Sequence, residues 1–149
     1  MDRELFISLI LKGEYNEAEL YLTSNKINED ELENILMYAA YQENNISIYT
    51  FVVNLLLKDE TAKLHQIACG LMSNPLCFIE GAYSTAYYHA KRAVQIEPSD
   101  VASKEILLFL HIVPEQLVSK EEAIRIAKEI LEIDPLNKTA LNFLSEKQV

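Results

Sequence analysis

Ala86-Tyr87-Tyr88-His89-Ala90-Lys91-Arg92-Ala93-Val94-Gln95-Ile96-Glu97-Pro98-Ser99-Asp100 decides the fold, because it comes back later in the chain. The second copy reads Ala123-Ile124-Arg125-Ile126-Ala127-Lys128-Glu129-Ile130-Leu131-Glu132-Ile133-Asp134-Pro135-Leu136-Asn137. Ala86, Ala90, Ala93 and Pro98 answer to Ala123, Ala127, Ile130 and Pro135 at a constant offset of 37 positions (86 to 123, 98 to 135), and Lys91 and Ile96 recur as Lys128 and Ile133. Small residues one turn apart let a neighbouring helix approach closely. The proline cannot continue a helix, so it sets where the chain turns. The Asp or Asn two residues on can cap the next helix. Each unit therefore spells a close-packed helix, a stop and a restart.

Helical signals extend outward from these units. Asp2 to Lys12 predicts a first helix, stopped by Gly13. A second runs from about Tyr15 to Asn25, with Tyr15, Ala18 and Leu22 at helical spacing. Asn28 with Glu31 predicts a capping box opening a helix to Glu43. Ile46 to Leu57 and Thr61 to Met72 follow. Ser73-Asn74-Pro75 interrupts, since a proline disfavours helical geometry in the residue before it. Leu76 to Glu80 allows a further turn or two. Gly81 leads into a long helix ending at Glu97-Pro98. Asp100 caps the next, which is apolar from Ile106 to Val113 apart from His111 and is ended by Pro114. Ser119 with Glu122 predicts a second capping box, and Asn137 caps a last helix ending near Lys147. No segment alternates with period two, so no sheet is expected. Short connections place successive helices antiparallel.

The repeated unit resembles the tetratricopeptide repeat, a helical hairpin of about 34 residues with a small residue opening its second helix and a proline closing it. Ala86 and Ala123 match the opening alanine, Ala93 the later one, and Pro98 and Pro135 the closing proline. Gly13-Glu14-Tyr15-Asn16-Glu17-Ala18 is similar to the family's Gly-x-Tyr-x-x-Ala turn. The family's Trp is absent and residues 28–60 lack the signature, so the form is degenerate. The resemblance implies a single all-α domain over residues 1–149, with its clearest units at about 82–100 and 119–137. Its antiparallel hairpins would stack as a right-handed α-α superhelix of nine or ten helices. It also implies a scaffold or adaptor that binds a partner protein or peptide in a helical groove.

Composition agrees with that class. Of 149 residues half are hydrophobic, with only 3 Gly and 4 Pro. The net charge of -10 is unevenly spread: residues 1–60 hold twelve acids and four bases, and residues 61–149 eleven acids and nine bases. An acidic surface disfavours nucleic acid and anionic membrane, whose phosphates need Lys and Arg. It suits a basic protein partner. This motivates a narrower reading, an acidic inhibitor such as an immunity protein that neutralises a basic toxin. Glu29, Glu31 and Glu33 are the acids of choice for such a contact. Two cysteines do not make a disulfide framework. The first apolar run, Leu5 to Leu11, has no basic leader or small-residue cleavage site, and Phe51 to Leu57 is too short to span a bilayer. A cytoplasmic location is expected.

No catalytic constellation is legible, so an enzyme is not expected, and neither is a cofactor. His65, Cys69, Cys77 and His89 are metal-ligand types, but their spacing matches no known zinc pattern, so no metal is expected. Buried cysteines and core histidines are the plainer reading. Tyr83, Tyr87 and Tyr88 surround Ala86, with Lys91 one turn from Tyr87, and Tyr is enriched at contact hot spots. These four residues are candidate partner contacts. Tyr38, Tyr41 and Tyr49 form a second tyrosine cluster in the acidic half. A homodimer through an exposed terminal hairpin is a further expectation.

Overall fold

The computed structural model describes residues 2–147. Among them the chain forms helices and no strand. The nine helices are α1 (Arg3–Leu11), α2 (Tyr15–Ser24), α3 (Glu29–Glu43), α4 (Ser47–Lys58), α5 (Ala62–Ser73), α6 (Ala82–Ile96), α7 (Val101–Ile112), α8 (Lys120–Ile133) and α9 (Lys138–Lys147). No helix among the described residues is long and apolar enough to cross a membrane.

The expected start signals are in place. Asp2 accepts from the Leu5 amide, Thr61 from Leu64, Asp100 from Ser103 and Asn137 from Ala140, each at 2.9–3.0 Å. Asn28 and Glu31 form a full capping box. Ser119 and Glu122 form only half of one. Ser119 accepts from the Glu122 amide, but the Glu122 carboxylate turns away to Lys91 on α6, 2.6 Å off. A charged partner on another helix outcompetes a neutral amide.

Three stop signals use the left-handed region, at Gly13, Lys26 and Asn44 (φ +48°), the last closing α3. At Gly13 (φ +77°) the Glu14 amide reaches back to the Leu9 carbonyl, and the Gly13 amide to Ile10. Lys26 (φ +53°) closes α2 in the same way, with Ile27 bonded to Leu22 and Lys26 to Thr23. A side chain there is strained where glycine is not. Lys26→Gly is therefore expected to stabilise the fold by about 0.5–1 kcal/mol, read as a raised urea midpoint. Residues 74–81 form hydrogen-bonded turns, not the extra helical turn expected at Leu76 to Glu80.

Most packing is between sequence neighbours: α1 with α2, α4 with α5, α5 with α6, α6 with α7, α7 with α8 and α8 with α9. Further contacts join α1 to α4, α3 to α4 and α5, and α7 to α9. One cluster of buried apolar side chains reaches from Phe6 on α1 to Phe143 on α9. In the first half it is aromatic: Phe6 stacks on Tyr21 (5.1 Å, 12°) and meets Phe51 edge-on (5.8 Å, 78°).

The two repeat units have like surroundings. Ala86, Ala90 and Ala93 on α6, and Ala123, Ala127 and Ile130 on α8, are wholly buried, as close helix approach requires. Both helices end on one extended residue, Glu97 (φ −130°, ψ 90°) and Asp134 (φ −132°, ψ 91°). The exposed Pro98 and Pro135 follow. Each cap residue is then held by an earlier helix. Gln66 on α5 donates to Asp100 and Asn137 donates to Glu105 on α7, both at 2.7 Å.

Candidate functional site

Two places gather candidate functional side chains. The first is a groove of about 590 Å³ between α1 and α3. Both helices rest on α4, and the gap between them stays open. Ile7, Ser8 and Leu11 line the α1 side, and Ile35, Tyr38, Ala39, Gln42 and Glu43 the α3 side, at spacings that share one helical face. Ile7, Leu11, Ile35 and Ala39 are buried or half-buried and form the floor, while Arg3, Glu4, Tyr38, Gln42 and Glu43 are exposed and form the rim. Tyr38 is 70% exposed, and Tyr41 on the same helix 57%. Arg3, Glu4 and Glu43 make no hydrogen bond or ion pair with their side chains among the described residues.

The second place is a chain of polar groups linking α4, α5 and α6 beside a pocket of about 390 Å³. Arg92 on α6 grips Glu60 with two bonds, Nε to Oε1 at 2.6 Å and Nη2 to Oε2 at 3.0 Å. Glu60 Oε1 lies 2.7 Å from His65 Nε2. His65 Nδ1 lies 2.8 Å from His89 Nδ1, and His89 Nε2 lies 2.8 Å from the Tyr49 hydroxyl. Both imidazoles are 3% exposed. Tyr88 lies edge-on to each of them.

The chemistry of the ends fixes the direction of the bonds. Arg92 and then His65, by hydrogen bonding, hold the Glu60 carboxyl down at about 2, so it is ionised and only accepts. His65 Nε2 must then carry a hydrogen, and with a single hydrogen on that ring its Nδ1 accepts. His89 therefore donates from Nδ1, and its Nε2 accepts from Tyr49. Every ring nitrogen is satisfied in one order, Tyr49 to His89 to His65 to Glu60. Burial, and then the neighbouring His65, push His89 down to about 4, so it is neutral at pH 7. Burial, followed by Tyr88, raises the Tyr49 hydroxyl.

The expected contact residues separate. Tyr83 and Tyr87 are half-buried: Tyr83 meets Phe109 on α7 edge-on at 5.8 Å, and Tyr87 lies under the Lys91 ammonium at 5.8 Å. Lys91 is paired with Glu122. Tyr88 alone of the three is exposed, on the side of the histidine pair. The acids are engaged inside the fold too. Glu29 accepts from Thr61 at 2.8 Å, Glu31 completes the α3 capping box, and Glu33 pairs with Lys63. Cys69 is buried and Cys77 exposed, and no group of three or more metal-ligand side chains gathers among the described residues. The polar chain was missed in the sequence because its members lie 24 and 40 positions apart; the one signal was the recurrence of His and Tyr in helices bound to pack together.

No family model matches this sequence, and neither a curated protein nor a solved structure matches it.

Proposed function

We propose that this protein is a non-catalytic, tetratricopeptide-like module whose antiparallel hairpins stack as a right-handed superhelix and bind a basic segment of a partner protein. The observation that carries the reading is the groove between α1 and α3. It combines an apolar floor, a tyrosine standing 70% exposed at its rim, and two acids, Glu4 and Glu43, without a side-chain partner among the described residues. An apolar floor with an aromatic anchor is what a helix or peptide docks into. The surplus of acids in residues 1–60 adds a field that draws in a cation-rich segment. The matched caps of the two repeat units support the hairpin architecture. The non-catalytic reading is supported by the histidine pair, which commits all four ring nitrogens internally. Burial also pushes the Cys69 thiol up to about 12, which leaves it a poor nucleophile.

The acidic surplus favours, as a narrower form of the same reading, an inhibitor that neutralises a basic protein. Glu4 and Glu43 suit that contact better than Glu29, Glu31 and Glu33, which hold helix ends and neighbouring helices. The test uses captured partners from the native host, each measured against the wild type, Tyr38→Ala and Glu4→Lys/Glu43→Lys. All three changed positions are exposed, so the fold is expected to survive. Tyr38→Ala is expected to weaken binding by about thirtyfold, a hot-spot loss of about 2 kcal/mol. The charge-reversed form is expected to associate more slowly and with less dependence on salt. A partner that binds all three proteins alike would remove the groove from the account.

A further inference from the structure

We infer that the chain of Tyr49, His89, His65, Glu60 and Arg92 is an acid-released latch that fastens α4 to α6 across α5. The Tyr49–His89 bond joins α4 directly to α6, and the His65–His89 bond joins α5 to α6. The Nδ1 atoms of the two rings lie 2.8 Å apart, so the contact needs one hydrogen and one lone pair. A first added proton can be absorbed by reversing the order. With three ring hydrogens on the pair, His65 donates from both nitrogens, to Glu60 and to His89 Nδ1, and His89 donates from Nε2 to Tyr49. A second proton has no such arrangement. With both rings charged, two N–H groups face each other and two cations share a buried site. The pair must then part, and α4 loses its bond to α6.

The groups around the pair set the direction of the response. Tyr49 on α4, Glu60 before α5, His65 on α5, and Tyr88 and Arg92 on α6 face the two rings. Cys69, one turn along α5, stays protonated through this range. The closed latch keeps His89 at about 4, below the 6.5 of a free imidazole. The open form therefore binds a proton over a range in which the closed form does not. Stability of the closed form is complete above pH 6.5 and is lost as pH falls towards 4. Glu60 makes its own loss lower, between its ordinary value of 4.5 and about 2. The latch needs no partner in the α1–α3 groove.

The test is hydrogen exchange on the full chain at pH 7 and pH 5, corrected for intrinsic rates. Opening of the junction amides of α4 and α6 is expected to rise about twentyfold between these values, while α8 is expected to change little. His89→Gln offers one donor and one acceptor but cannot take a proton, so its junction is expected to be insensitive over the same range. An unchanged wild-type junction, or an equal response in His89→Gln, overturns the latch. Should that variant fail to fold, the 15N shifts of the wild-type rings decide at pH 7. Hydrogens on His65 Nε2 and His89 Nδ1 are expected, and the opposite tautomers overturn the proposal.

Discussion

Ala127→Glu is expected to lower the unfolding free energy by about 2–4 kcal/mol, measured by urea denaturation. Ala127 is wholly buried on α8, among the small residues through which that helix meets its neighbours. A glutamate there overfills the space and brings in a carboxylate without a partner. The carboxylate escapes in part by protonation, and the side-chain volume then forces the helices apart instead. The adjacent Lys128 is exposed, so Lys128→Glu serves as a control within about 0.5 kcal/mol of the wild type. Equal midpoints for Ala127→Glu and the wild type would mean that α8 does not pack through this face.

The second large effect concerns a cation inside α7. The Lys104 side chain is 6% exposed, and its ammonium lies 3.4 Å from Glu129 on α8, which is also held by Arg125 at 2.5 Å. Removing one member of a buried pair costs more than removing both, because the other charge is left without compensation. Glu129→Ala is expected to cost about 2–3 kcal/mol, somewhat below a fully buried pair because Glu129 is one third exposed. Lys104→Met is expected to be neutral or stabilising, since Glu129 keeps Arg125 and its contact with solvent while the long apolar side chain fills the same space without a charge. Thermal midpoints of the two variants check this. A loss in Lys104→Met as large as that in Glu129→Ala would mean that the pair itself stabilises the protein.

Local chemistry was legible in the sequence wherever a single residue type solves a backbone problem. Asn28, Asp100, Ser119 and Asn137 start helices because their short side chains reach an orphan amide, and Gly13 ends one because it alone adopts a left-handed turn without strain. The repeat was legible because close helix approach demands alanine at fixed places. Lys26, as a left-handed residue, gave no sign, since lysine has no preference for that geometry. The division of the tyrosines was equally hidden. Tyr83, Tyr87 and Tyr88 are neighbours in sequence, but a step of one residue turns about 100° around a helix, so Tyr88 faces the histidines and not α7. Glu29 and Glu33 read as part of a free patch because Thr61 and Lys63 come to them only once α5 has folded back, whereas Glu31 is taken up by the capping box with Asn28. The histidine pair depends on the same return of the chain.

The caps held from behind, Asp100 by Gln66 and Asn137 by Glu105, couple the order of assembly to the order of the chain. At these two starts the second hold forms only once α5 or α7 is in place, which favours adding structure to an already formed edge through short loop closures. The molecule should zip and unzip from an edge, with α9 able to fray while α5 and α6 stay folded.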